Sequence, residues 1–204
     1  YEGLDAKGKE IFEKAYSASY TPALEILAEI YDEVASGNEI RSVLLAADRM
    51  KKIPMGKIDE SYMWKVGEKV RAARSSAPVP LDPFTAGVYV AAMVAQVDLL
   101  EEMGHAYSEI VNESVIEAVD SLNPFMHYKG VSFMVDNCSI TARLGSRKWA
   151  PRYDYLYMQQ AAPIWAAGKG EDEGLWKKFL EHPVHKALAT ASSMRPSVDI
   201  AVGG

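Results

Sequence analysis

The stretch SEIVNESVIEAVDSL, residues 108–122, carries Glu109, Glu113 and Glu117 at every fourth position and then Asp120. On a helix turning about 100° per residue, Glu109 and Glu117 lie about 40° to either side of Glu113, with Asp120 inside the same stripe. Ile110 and Ile116 border that stripe, and Val111, Val115, Ala118, Val119 and Leu122 are expected on the opposite side. A solvated acidic face would be bordered by polar residues. Like charges four residues apart repel by a few tenths of a kcal/mol, and burying them costs far more unless something positive joins them. A hard divalent cation such as Mg²⁺ meets that need, since it takes a few carboxylate oxygens and keeps several waters. The E-x-x-x-E spacing is also common on hydrated helices. A non-catalytic helical interaction module with a solvated acidic face is therefore the alternative reading.

Other side chains offer less. Glu102 and His105 form the Glu-x-x-His half of a di-iron bundle site, but such sites need two copies and Gly104 ends the helix between the members. This leaves a ferritin-like metal enzyme as a distant third reading, since oxygen ligands without a helical histidine pair favour Mg²⁺ over Fe²⁺. His182 and His185 straddle Pro183 and are expected as surface or capping groups. Gly168, Gly170 and Gly174 have the wrong spacing for a dinucleotide loop, and Glu171, Asp172 and Glu173 would repel phosphate. Asn112 and Asn137 head glycosylation-type triplets inside expected helices, where the match is by chance. Cys138 is the one cysteine, which excludes an intrachain disulfide and suits a reducing compartment. As a side chain it is expected to be a small buried hydrophobe.

From Ser75 through Tyr128 there is no Lys or Arg, while eight acids fall there; the remainder of the chain is slightly basic against a total of −6. A cation site and a solvated face both account for this shift. The net charge excludes a nucleic-acid surface, which depends on clustered basic residues.

The elements that must position these groups read as helices, so the expected fold class is all-α, with a single domain over residues 1–204 that is expected to be incomplete on its N-terminal side. A helix opens at Ala6–Tyr16, and an amphipathic run from Leu24 to Val34 follows Pro22 and stops at Ser36-Gly37. A further helix is expected over about 39–52 and an irregular segment over 53–83, punctuated by Pro54, Gly56, Gly67, Pro78, Pro80 and Pro83. The apolar run from Phe84 to Leu100 is interrupted by Gln96 and Asp98, so it reads as a buried helix and not a membrane span. Gly104 closes it as a left-handed cap. Ser108 is expected to cap the acidic helix, which runs to at least Ser121, with Pro124 as a break or kink. Residues 131–144 read as helix, Pro151 and Pro163 bracket a Tyr- and Gln-rich stretch, 168–174 is a loop, and helices over 175–180 and 184–192 close the chain.

The run HAYSEIVNESVIEAVDSLNPFMHYKGVSFMVDNCSITARLGSRKWAPR, residues 105–152, resembles the C-terminal region of plant ketol-acid reductoisomerases. Further segments carry the likeness: YSASY at 16–20, VASGNEIRSV at 34–43, PMGKIDESYMWKVGEKVR at 54–71, PFTAGVYVA at 83–91 and RPSVDI at 195–200. The resemblance implies a knotted, all-helical C-terminal domain. It also implies an activity that converts 2-acetolactate or 2-aceto-2-hydroxybutyrate to a 2,3-dihydroxy acid for branched-chain amino acids. Two Mg²⁺ ions support an alkyl migration and NADPH reduces the resulting 2-keto acid. By the same resemblance Glu113 and Glu117 are metal-site carboxylates, Glu117 being catalytic. Ser139 binds the substrate carboxylate and Leu122 lines the pocket, while Glu109 and Asp120 have no role. NADPH belongs to an upstream Rossmann domain, which together with a further Asp and Glu lies outside this sequence, so the chain by itself is expected to be inactive. A homodimer or higher oligomer is implied, with no nucleic-acid or membrane partner. The insertion at 54–71 implies a chloroplast stroma location, a cytoplasmic one being the alternative.

Overall fold

The computed structural model describes residues 1, 3–35, 82–168 and 172–193, and every regular element among them is helical. Helix α1 covers Ala6–Ala35, α2 Pro83–Glu102 and α3 Tyr107–Val111; two π-helical turns, Asn112–Ile116 and Ala118–Leu122, lead into α4, Asn123–Lys129. Then come α5 Val131–Asp136, α6 Ile140–Ala166, α7 Glu173–Leu180 and α8 Val184–Ser193. The all-α expectation therefore holds for the described residues. The expected helix at 39–52, most of the irregular segment at 53–83 and the RPSVDI segment lie outside them. The knot implied by the resemblance is a property of the unbroken chain path, and residues 36–81 lie outside the described residues.

The α1–α2 pair is the most extensive helix contact among the described residues. Asp82 starts α2 by accepting from the Thr85 N–H at 2.9 Å, with Pro83 in the first turn where its missing N–H costs nothing. Gly104 takes φ +86° just past its end, as a left-handed cap requires. Gly87 allows the close approach: a Cβ there would lie 2.5 Å from the Phe12 carbonyl oxygen and 2.7 Å from Ala15 Cβ. Ala15, Tyr16, Ala23 and Ile26 of α1 and Ala91, Ala95 and Val97 of α2 are at most 1% exposed. By length and composition α2 could cross a membrane, yet these small residues pack against α1, as expected of a core helix. Trp176 and Phe179 of α7 close over Tyr16 with ring centroids 5.8 and 4.7 Å away. Helix α6 lies on α1, where the Ser19 and Tyr157 hydroxyls are 2.5 Å apart.

The local reading needs four corrections. Helix α1 runs unbroken through Pro22, because packing along α2 outweighs the one backbone bond that proline forfeits. The acidic helix starts at Tyr107 with Ala106 at the cap position, so Ser108 is inside the first turn. Pro124 does not break that helix. The turn before it widens, with the Asn123 N–H reaching the Ala118 carbonyl, which moves the chain away from the clash a proline ring makes with the carbonyl four residues back. The expected helix at 131–144 is split at 137–139, where Ser139 caps α6 by accepting from the Ala142 N–H at 3.2 Å. Asn137 is thus in a turn and not in a helix.

Candidate metal centre and substrate pocket

The acidic residues sit on a helix of unusual hydrogen bonding. The Glu117 N–H reaches the Asn112 carbonyl, five residues back, between the two π turns. Such widened turns occur often at functional sites, because they re-aim side chains that a regular helix would hold in strict register. Ile110, Val111 and Val115 are buried against Val97 of α2 and Val184 of α8, which holds the opposite face in the core. Val119, expected on that face, is 49% exposed: the wider turn carries it out of the apolar stripe.

Glu113 and Glu117 come together and Glu109 does not join them. The Glu113 carboxyl is exposed and accepts from Asn112 Nδ2 at 3.2 Å, while Glu117 is half-buried. The Glu117 carboxyl has its pKa raised, first by a hydrogen bond with the Glu113 carboxyl, then by burial and by repulsion from that neighbour. Two carboxyls so close are held together by a shared proton or by a cation. An all-oxygen pair suits a hard ion such as Mg²⁺. Among the described residues no group of three or more Asp, Glu, His or Cys side chains is placed to hold a metal. Glu109 is exposed, and the side chain of Asp120 lies outside the described residues.

The turn that carries Ser139 places Cys138 within electrostatic reach of Glu117. Burial raises the pKa of the neighbouring Cys138 thiol, and the Glu117 carboxylate raises it further, against the opposing influence of Arg143. Cys138 is half-buried and donates to the Met134 carbonyl at 3.4 Å, so it is less enclosed than expected of a small core residue. Ser139 is exposed. Leu122 and Glu113 line one cavity of about 340 Å³ between α1, α2, the π turns and α6, with Tyr89, Met93, Gln96 and Tyr153 also on its wall. A mostly apolar cavity of that size with a few polar groups is the usual form of a small-molecule site.

Away from this site the histidine reading needs correction. His182 is 5% exposed, not at the surface, and its Nε2 is 2.6 Å from Asp98 Oδ1. The capping part of the expectation is met, since His182 Nδ1 accepts from the Val184 N–H at 3.1 Å. His185 is exposed and meets the Phe179 carbonyl at 2.8 Å. His105 is also exposed and pairs with the Tyr31 hydroxyl at 3.1 Å. Reading the chain alone missed Gln96, Ser114 and Tyr153. Gln96 Nε2 donates to Ser114 Oγ at 2.8 Å, tying α2 to the π turn beside Glu113. The Tyr- and Gln-rich composition around Tyr153 was visible, but its proximity to the acids was not.

Comparison with known proteins bears on the chain as a whole. A model of the family described as ketol-acid reductoisomerase, C-terminal domain, matches residues 1–76. The chloroplastic ketol-acid reductoisomerase of Spinacia oleracea is 59% identical over 209 residues, covering 99% of this chain and 35% of that protein. Its counterpart in Pisum sativum is 57% identical, covering 99% and 36%. The mitochondrial ketol-acid reductoisomerase of Neurospora crassa is 45% identical over 89 residues, covering 44% of this chain and 22% of that protein. The chain spans about a third of the length of the plant relatives it matches. Glu113, Glu117, Leu122 and Ser139 lie beyond the family-model match, in a chain that the plant alignments cover almost entirely. Nearly the whole of this chain is thus homologous to about a third of the plant ketol-acid reductoisomerases, and its residues 1–76 match the C-terminal domain of that family.

Proposed function

We propose that this chain forms one side of a Mg²⁺-dependent ketol-acid reductoisomerase site that turns 2-acetolactate or 2-aceto-2-hydroxybutyrate into a 2,3-dihydroxy acid. The observation that carries the reading is the Glu113–Glu117 carboxyl pair beside an apolar cavity of about 340 Å³. Two Mg²⁺ ions held there would polarise the ketone and hydroxyl oxygens of the substrate and balance the charge that develops as the alkyl group migrates. Glu117, half-buried, presents its charge where water screens it less. Asn112 holds Glu113 in place through its amide. The Ser139 oxygen accepts from the Ala142 N–H, which leaves its own proton to donate to the substrate carboxylate. Leu122 gives the alkyl groups an apolar wall.

Hydride for the reduction would come from NADPH. No phosphate-binding glycine pattern occurs in this sequence, so we assign that cofactor and the remaining metal ligands to parts of the enzyme outside this chain. The plant relatives are named as chloroplastic, which supports a stromal location, with self-association into a dimer or larger assembly as the working expectation. In the complete enzyme Glu117→Gln should lower Mg²⁺-dependent turnover of 2-acetolactate by about 100-fold or more, since a neutral amide cannot balance a cation. Asp120→Asn should be far milder. Equal losses from the two changes would overturn the assignment.

A further inference from the structure

Helix α2 carries one side-chain amide among its core residues. Gln96 stands between Ala95 and Val97, which are fully buried, and it is itself half-buried. A polar side chain at such a place costs stability unless it is hydrogen-bonded. Its Nε2 donates to Ser114 Oγ at 2.8 Å, and Ser114 is 5% exposed. Two apolar residues could have filled the same seam, as Val97, Val111 and Val115 do beside it. What the polar pair adds is direction. Apolar burial holds two helices together without fixing their rotation, whereas a hydrogen bond between two side chains has a set length and angle.

That direction is applied beside the acids. Ser114 is the middle residue of the first π turn, Asn112–Ile116, and follows Glu113 directly. The Glu117 N–H closes the turn on the Asn112 carbonyl, so one turn sets where both acidic side chains start. A turn widened in this way has left the regular helical register, and Gln96 fastens it from α2. Resting on the function proposed above, we infer that Gln96 is a positioning residue for the metal centre: through Ser114 it fixes the rotation of the π turn and so aims the Glu113 and Glu117 carboxylates at one cation. Groups that orient metal ligands tune how tightly the metal is held, and losing one costs about 10–100-fold in metal affinity or activity. Gln96 acts through a residue that is not itself a ligand, which places its effect at the low end of that range.

The test titrates Mg²⁺ against turnover of 2-acetolactate with NADPH in the complete enzyme. Gln96→Met keeps an unbranched side chain without the donor, and Ser114→Ala removes the acceptor. Each should raise the Mg²⁺ concentration for half-maximal turnover by about 10-fold. At saturating Mg²⁺ kcat should return to within about threefold of the parent, because both carboxylates are still present. The double variant should be no worse than either single one, since all three lose the same bond. Gly87→Ala is the control for a loosened α2. Gln96 and Gly87 are nine residues apart, on opposite sides of a helix that turns about 100° per residue. Gly87→Ala should lower the thermal midpoint and leave the Mg²⁺ dependence within about twofold of the parent. An unchanged Mg²⁺ dependence in Gln96→Met would overturn the inference, even with a lower midpoint, since the bond would then serve the fold alone. So would additive losses in the double variant, or a Gly87→Ala shift as large as that of Gln96→Met. If Gln96→Met is normal while Glu117→Gln is inactive, only the Gln96 role fails. An active Glu117→Gln would overturn the site and this inference together.

Discussion

His182 Nε2 lies 2.6 Å from Asp98 Oδ1, joining residues 84 apart in sequence across the seam between α2 and the α7–α8 turn. Tyr20 donates to the other carboxylate oxygen, and Lys178 Nζ donates to that same oxygen at 3.2 Å. Because His182 Nδ1 accepts from the Val184 N–H, the ring proton is left on Nε2, where Asp98 takes it. An aspartate that seemed only to interrupt an apolar helix thus fastens three elements.

Removing the acceptor should be costly and removing the outermost donor should not. Asp98→Ala strands the buried His182 and the Tyr20 hydroxyl, a loss of about 1–3 kcal/mol in urea unfolding. Lys178→Ala should stay within about 1 kcal/mol, since the Lys178 side chain is 59% exposed and its charge is screened. Comparable losses from both changes would show that His182 contributes nothing through Asp98.

Acid should weaken the same seam. Burial alone would raise the Asp98 pKa, but hydrogen bonds from His182, Tyr20 and Lys178 outweigh it and hold the carboxyl at about 2, against 3.8 for a free side chain. A depressed folded-state pKa contributes stability that is present above pH 3.8 and lost as pH falls through 2. The contribution is on the order of 2 kcal/mol at neutrality. Asp98→Asn should therefore flatten the fall in unfolding midpoint across that window, compared with the parent protein.

Ser139 combines a structural and a proposed binding role, and two substitutions separate them. Ser139→Ala should lose the cap on α6, about 0.5–2 kcal/mol of stability, and also raise KM for 2-acetolactate in the complete enzyme. Ser139→Asn keeps a capping oxygen, so stability should return while KM stays high. If Ser139→Asn restores both, the serine acts only through the helix start.

Gly87→Ala tests the close approach of the two core helices. The added Cβ meets the Phe12 carbonyl oxygen and Ala15 Cβ, neither of which is a flexible chain end. Overpacking of this kind costs about 1–3 kcal/mol, read as a lower thermal midpoint. A midpoint equal to the parent's would mean that α1 and α2 can part without loss.

Helix content, the core role of residues 84–100, the Gly104 stop and the pairing of Glu113 with Glu117 were legible in the chain, because each follows from local spacing and backbone preference. So was the family, through long stretches such as residues 105–152. What could not be read locally is where tertiary contacts overrule local rules. Pro22 is carried inside one long helix by packing on α2. The π turns ahead of Pro124 move Val119 into solvent although its spacing assigns it to the core. His182 is buried because Asp98, 84 residues earlier, supplies the acceptor that makes burial affordable. Tyr153 reaches the wall of the Glu113 cavity only because α6 folds back across α1. Residue spacing determines what one helix can present; which groups from separate helices meet is decided only when their apolar faces are buried together.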